Sequence, residues 1–370
     1  MKNLLFVTTS ISYGGASKIL CYIANSLSSR GYNVSIANIQ TTGRKDSYNQ
    51  IIREEITVYD VSSSVADGNF WGRRLSRIDI IRKLYKLSKT IHADIIIGFT
   101  VLPNFMSCIV GKMRRIPSIM SERGDPFRTY TTSVSDRLRK FIIENCTGGV
   151  FQTHGAMEFY NQKLQKKSVV IPNPIFLDTA PAISSPGSKT VVSLGRFDNY
   201  QKRYDVMISA FKEFSLAHPE FSLLLYGNGP DYDKIVKWCE ETGVADKVKF
   251  CGVTKNSLEV LSNSSIFLIT SDFEGISNSL LEAMAVGLAC VSTDHSPGGA
   301  RLLIQDHING ILAPCGDSHA IANALSEFAD DASLLESCGR EARKVIERFS
   351  PDKIVDMWEE YIGLLLKNKG

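Results

Sequence analysis

The chain has 370 residues, long for a single hydrophobic core and enough for two domains. Its apolar fraction of 44% and charged fraction of 22% are those of an ordinary globular protein. With no run of about 18 apolar residues, they argue against a membrane-spanning helix. The net charge of +3 hides a division: residues 1–180 carry 24 Lys and Arg against 13 Asp and Glu, and the remainder carries 18 against 26. A basic half and an acidic half call for different partners. For the basic half an anionic membrane surface or an anionic ligand fits better than nucleic acid, since no nucleic-acid motif accompanies the charge.

In chain order, Leu4–Thr8 reads as a first strand rather than a signal peptide, followed by a Ser/Tyr/Gly turn and a helix from Ala16 to Ser29 that stops at Gly31. Asn33–Ile39 is the next strand, whereas residues 41–70 are polar and show no period that assigns them. Arg73–Thr90 predicts a basic amphipathic helix with Leu75, Ile78, Ile81, Leu84 and Leu87 as its apolar stripe. It fits either a membrane-surface helix or a domain helix with a solvated basic face. Ala93–Gly98, Pro117–Met120, Gly149–Gln152 and Ser168–Ile171 are further short strands, and the stretch from Pro172 to Ser188, with four prolines and little charge, marks a linker at residues 175–188. Strands then recur at Thr190–Leu194, Phe221–Tyr226, Val248–Phe250, Ile266–Ile269, Ala289–Ser292 and Gly310–Leu312, and an amphipathic helix starts at Ser350-Pro351. Strands and helices alternate throughout, the pattern of α/β domains with parallel sheets. The eight cysteines show no C-x-x-C pair, which argues for reduced thiols and a cytoplasmic protein.

Chemistry concentrates in residues 270–287. Two carboxylates, Glu274 and Glu282, stand eight residues apart on either side of a helix start whose capping residues are Ser277, Asn278 and Ser279. Leu280, Leu281, Met284 and Leu288 would be buried and leave Glu282 on another face, above a turn whose free N–H groups suit a phosphate or an oxygen-rich ligand. Gly195-Arg196 ends a strand and Lys202 follows across a short loop, so two cations stand where open α/β sheets bind ligands. Gly14, Gly15 and Ala16 precede the first helix without the G-x-G-x-x-G spacing of a dinucleotide fold. Asp231 and Asp233 form an Asp-x-Asp at a helix start, where Asp is favoured without any metal. The six histidines show no ligand spacing, so no protein-bound metal or cofactor is expected.

Together these residues resemble the family 4 retaining glycosyltransferases. The resemblance rests on Gly14-Gly15-Ala16, Gly195-Arg196 with Lys202, Gly227-x-Gly229-Pro230, Phe250-x-Gly252, Glu274-x7-Glu282 and Asn309-Gly310, and runs from residue 3 to about 366. It is closest to the bacterial branch that builds capsule, exopolysaccharide and lipopolysaccharide, where Ser121-Glu122-Arg123-Gly124-Asp125-Pro126 also has a counterpart.

The resemblance implies a GT-B fold: two Rossmann-like domains facing across a cleft. Residues 1–174, completed by a C-terminal helix 350–370, would bind the acceptor, and residues 189–349 the nucleotide-sugar. It implies that Glu282 binds the ribose, that Glu274 holds the sugar, and that the amides of Gly275, Ile276, Ser277, Asn278 and Ser279 hold sugar and phosphate oxygens. Arg196 and Lys202 would stabilise the leaving diphosphate, which Gly15 approaches. Gly252 and Val253 would touch the base, and Glu122 and Arg123 would lie on the acceptor side. The activity implied is retaining transfer of a hexose or N-acetylhexosamine from a nucleotide-sugar, UDP favoured, to a lipid-linked saccharide at the cytoplasmic face of the inner membrane. A UDP-sugar epimerase of the same fold and a non-catalytic nucleotide-sugar-binding protein remain as alternatives. The chain departs from the family pattern at Ser17-Lys18, where Glu-Arg is common. It departs again at Glu122-Arg123, where many members carry a histidine, and at Ile276-Ser277, where Phe-Pro is usual.

Overall fold

Among the described residues, thirteen strands order the chain into two sheets. The computed structural model describes residues 1–11, 15–40, 51–65, 70–130, 133–177 and 187–367. The chain folds as two units, Met1–Asn173 with Asp352–Gly370, and Pro174–Pro351. Gly14, and residues 178–186 of the expected linker, lie outside the described residues.

The first unit holds β1 (Asn3–Thr8), β2 (Asn33–Asn38), β3 (Thr57–Asp60), β4 (Ile95–Phe99), β5 (Ser118–Ser121), β6 (Gly148–Phe151) and β7 (Ser168–Val170). They pair in parallel in the order β3-β2-β1-β4-β5-β6-β7. β1 and β4 are apolar runs buried from end to end or nearly so, as strands covered on both faces must be. β3 is the strand that periodicity did not assign. It is an edge strand with exposed ends, and half-exposed positions need no apolar alternation. The helix Pro351–Lys367 closes this unit's core: Trp358, fully buried, stacks on Phe99 at 5.9 Å, and the Tyr361 hydroxyl donates to the Lys167 carbonyl at 2.5 Å. Arg30 reaches the same helix through Asp356 at 2.6 Å and Glu359 at 2.7 Å.

The basic helix spans Phe70–Thr90, and its expected apolar stripe needs correction. Ile80 and Leu84 are buried, with Ile81, Tyr85 and Leu87 packed beside them, but Leu75 and Ile78 are 54% and 48% exposed. The core-facing line instead continues toward the N-terminus through Ser76, which is buried, so the two aliphatics join Trp71 on the outward face.

The second unit holds β8 (Thr190–Leu194), β9 (Ser222–Tyr226), β10 (Val248–Gly252), β11 (Ile266–Ile269), β12 (Ala289–Thr293) and β13 (Ile311–Ala313), again all parallel, in the order β10-β9-β8-β11-β12-β13. Its core joins the inward faces of these strands to Phe211, Phe214, Leu325 and Phe328 on two flanking helices. From β8 the chain runs out to β9 and β10 and then returns to β11 on the other side of β8. The switch in winding direction therefore falls between β8 and β11, and at such a point the loops leaving the carboxyl ends splay apart and leave room for a ligand.

Candidate functional site

Three loops leave the carboxyl ends of the neighbouring strands β8, β11 and β12, and hydrogen bonds stitch them together. After β8, residues 199–202 form a helical turn and Arg203 adopts a left-handed φ of 51°. The Thr270 hydroxyl donates to the Lys202 carbonyl at 2.8 Å, the Asp272 N–H to the Gln201 carbonyl at 2.9 Å, and Gln201 Nε2 to the Phe273 carbonyl at 3.1 Å. Arg203 adds a fork to Asp272 at 3.0 and 3.2 Å while also holding Asp205. On the other side, the Thr293 hydroxyl donates to the Ser271 carbonyl at 2.6 Å and the Glu274 N–H to the Ser296 carbonyl at 2.8 Å. The site is thus built on backbone geometry, which is what rigid positioning requires.

At the centre Lys202 Nζ and Glu274 Oε1 form an ion pair, with side chains only 14% and 10% exposed. Glu274 Oε1 also accepts from the Ser271 hydroxyl at 2.7 Å. Burial alone would raise the Glu274 carboxyl, but the Lys202 charge, His295 and these hydrogen bonds hold it below its ordinary value. Beside them His295 is fully buried, and its Nε2 has no hydrogen-bond partner among the described residues. Burial keeps the imidazole below its ordinary value against the pull of Glu274 and Asp294. Arg196, expected to act with Lys202, is 65% exposed and pairs with Asp198, so the two cations differ in setting: one nearly buried, one at the surface.

The helix Asn278–Ala285 begins beside this cluster, with Ser277 as N-cap, its hydroxyl accepting from the Leu280 N–H at 3.4 Å. Leu280, Leu281, Met284 and Leu288 are buried as the spacing predicts, and Glu282 is half-buried. Two glycines allow the crossings that shape the loops. A Cβ on Gly227, whose φ is 148°, would stand 1.8 Å from the Gly195 carbonyl oxygen, and one on Gly299 would stand 1.8 Å from that of Gly275. Gly252 and Val253 end β10, where Val253 is 74% exposed and the Gly252 carbonyl accepts from the Gly227 N–H at 2.8 Å. Asp231 ties two loops together, its Oδ2 accepting from the Asn199 N–H at 2.7 Å.

Gly15, Glu122 and Arg123 belong to the first unit. Gly15 opens the helix Gly15–Ser29 after β1. Glu122 and Arg123 leave the end of β5. The Arg123 guanidinium lies 4.6 Å over the Phe99 ring and 5.5 Å over Trp358, and donates to Ser121 Oγ at 2.9 Å and Asn173 Oδ1 at 3.3 Å. Glu122, 2% exposed, accepts from the Tyr160 hydroxyl at 2.8 Å, and burial pushes its carboxyl up to about 6. A carboxyl raised above its ordinary 4.5 stabilises the fold in its neutral form. That contribution is complete below about pH 4.5 and is lost as pH rises through about 6. Glu122→Gln is therefore expected to gain about 2 kcal/mol over the unchanged protein above neutral pH and to match it in acid, as read from denaturant unfolding in both conditions.

His295, Ser271, Asp272 and Arg203 were not singled out by motif. The signal was positional: like Gly195 and Glu274, they lie within a few residues of the carboxyl end of a central buried strand or in the loop it packs against.

The chain has two parallel-sheet Rossmann-like halves, as the GT-B fold has, with Lys202 and Glu274 paired at the switch point of the second. Residues 179–345 match the family model described as Glycosyl transferases group 1. An uncharacterized glycosyltransferase of Haemophilus influenzae is 23% identical over 361 residues, covering 97% of this chain and 99% of that protein. A Campylobacter jejuni enzyme named GalNAc-alpha-(1->4)-GalNAc-alpha-(1->3)-diNAcBac-PP-undecaprenol alpha-1,4-N-acetyl-D-galactosaminyltransferase is 22% identical over 369 residues, covering 98% and 99%. Among solved structures, Anabaena Alr3699/HepE in complex with UDP superposes with a TM-score of 0.82 at 18% identity, covering 98% of this chain and all of that one.

Proposed function

We propose that the protein is a retaining glycosyltransferase that moves a hexose or N-acetylhexosamine from a UDP-sugar to a lipid-linked saccharide. The observation that carries this reading is the dry Lys202–Glu274 pair at the switch point, beside a helix N-terminus. Lys202 and Arg196 would take the charge that grows on the diphosphate as its bond to the sugar C1 breaks. Glu274 and the amides of Gly275, Ile276, Ser277, Asn278 and Ser279 would hold the sugar. The acceptor oxygen would then bond C1 on the face the diphosphate leaves, its proton passing to the departing phosphate oxygen, so the anomeric configuration is kept. Two side-chain cations suffice for this charge, and we propose transfer without a resident metal, to be tested by activity in excess chelator. UDP in the HepE complex and the undecaprenol diphosphate in the Campylobacter enzyme's name support the donor and acceptor classes.

The test is a donor screen by released UDP with lipid-linked acceptors. UDP released only when acceptor is present supports transfer, whereas donor converted without UDP release would make the protein an epimerase. In calorimetry, Glu282→Ala should weaken UDP binding by about 10- to 100-fold, the worth of charge-assisted hydrogen bonds to ribose hydroxyls. Unchanged affinity would remove Glu282 from the site.

For the acceptor's membrane, the first unit offers a mixed face. Trp71, Leu75 and Ile78 project from the helix Phe70–Thr90 at i, i+4 and i+7, with Arg73, Arg74 and Arg77 exposed around them. Helix Val134–Glu144 adds exposed Leu138 and Phe141. Among the described residues no helix is long and apolar enough to cross a membrane. We propose shallow insertion of these side chains with arginines at the headgroups of the cytoplasmic membrane face. Sedimentation with vesicles containing phosphatidylglycerol should weaken as salt rises and fall further for Trp71→Ser with Ile78→Ser. Equal sedimentation with neutral vesicles would exclude the charged component.

A further inference from the structure

The donor-binding reading leaves one member of the central cluster without a task. His295 is fully buried, yet its Nδ1 lies 3.4 Å from the neighbouring Ser296 carbonyl and its Nε2 has no partner among the described residues. A buried donor or acceptor left unmade is costly and calls for a reason. The ring packs against the start of helix Gly299–Leu303, its Cε1 edge 3.1 Å from the position a Cβ on Gly299 would take, and the adjacent Ser296 carbonyl accepts from the Glu274 N–H at 2.8 Å. Glu274, Lys202 and Asp294 are the charged groups that act on it.

In the ligand-free protein Glu274 is satisfied by Lys202 and Ser271. A bound diphosphate draws on the same ammonium and brings two negative charges of its own. Glu274, nearly dry, would then keep one hydroxyl partner and lose its counter-charge, the arrangement that costs most in a protein interior. The unspent nitrogen of His295 lies in the same cluster. We propose that His295 is a positioning residue that replaces Lys202 as the partner of Glu274 when a diphosphate-linked sugar binds, taking one proton from solvent as it does so. The proposal rests on the donor reading above and adds to it a partner exchange that keeps Glu274 ionised and aimed at the sugar.

The sign follows from the charges. Burial and the Lys202 ammonium keep the free imidazole neutral. Turning that ammonium toward a dianion favours the imidazolium, so donor binding takes up part of a proton and tightens as pH falls across neutrality. The probes are UDP-glucose and UDP-N-acetylglucosamine, whose diphosphates do not titrate near neutral pH, with uridine as the control that lacks the charge. Calorimetry on the full chain, in two buffers of different ionisation enthalpy, should show proton uptake with a sugar nucleotide and none with uridine. His295→Gln should lose the uptake and bind the sugar nucleotide several-fold more weakly. Equal uptake in both proteins, or none in the unchanged one, overturns the exchange. Should the variant fail to fold, the imidazole nitrogen spectrum of the unchanged protein decides: one of its six histidines gains a second N–H on adding the sugar nucleotide, or the proposal falls. If neither sugar nucleotide binds at all, it is the donor reading that fails first.

Discussion

Lys202→Met is expected to destabilise the protein by about 3–5 kcal/mol near neutral pH, and adding Glu274→Gln is expected to recover most of that loss without restoring transfer. The argument is one of unpaired charge. Both side chains are nearly buried, so removing the ammonium leaves a carboxylate held by the Ser271 hydroxyl. The site then gains from a proton, whether on the carboxylate or on His295 beside it. The single variant's deficit should therefore shrink as the medium is acidified, the reverse of the unchanged protein, whose Glu274 sits below its ordinary value and contributes stability that is lost as pH falls. The double variant has no buried charge to satisfy and needs no acid. Activity behaves differently: each single change should cost on the order of 10²–10³ in kcat, because both the leaving-group cation and the sugar ligand act in the transition state. Denaturant unfolding of the four proteins is the measurement, and strictly additive stability losses would show that the pair is not coupled.

Gly299→Ala carries the second large effect. Its Cβ would land 1.8 Å from the carbonyl oxygen of Gly275, a backbone atom that cannot rotate aside, in the residue that follows Glu274. Relief requires moving the 274–277 loop or the start of helix Gly299–Leu303. We expect a loss of about 3 kcal/mol, at the upper end of overpacking costs, and roughly 100-fold weaker donor binding, since displacing the loop by about an ångström misaims every amide in it. Gly363→Ala is the matched control: nothing stands within 4 Å of its Cβ, and in the middle of helix Pro351–Lys367 it should gain about 0.5–1 kcal/mol. Melting curves and a UDP titration on both variants test the contrast. A Gly299→Ala protein that melts and binds like the unchanged one would refute the close crossing.

How far the chain could be read in advance depended on what each segment had to satisfy. Strands such as β1, β4 and β11 are buried along their whole length or nearly so, and this demand writes near-continuous Val, Ile, Leu and Phe into the sequence. β3 lies at a sheet edge and made no such demand. Leu75 and Ile78 misled because apolar spacing marks a stripe without saying whether it meets the core or the solvent. In the site, the residue types at 196, 202, 274 and 282 were legible and their pairing was not. Lys202 and Glu274 are 72 positions apart, and they meet because β8 and β11 are neighbours, a fact of strand order and not of local pattern. His295 carried no motif at all. Its burial follows from two turns whose shape depends on Gly299 and on the chain after β12.

The first unit is finished by the helix that follows the second, and this reorders its folding on the ribosome. Residues up to Asn173 emerge early, but Trp358, Tyr361 and Glu359, which cover Phe99, Lys167 and Arg30, are made some two hundred positions later. The unit from Pro174 to Pro351 is continuous and can condense as soon as it is released. The half synthesised first thus waits with an uncovered aromatic face while the half synthesised second matures. Chaperone demand should concentrate in that interval, and shortening the chain at its far end should injure the oldest part of the molecule.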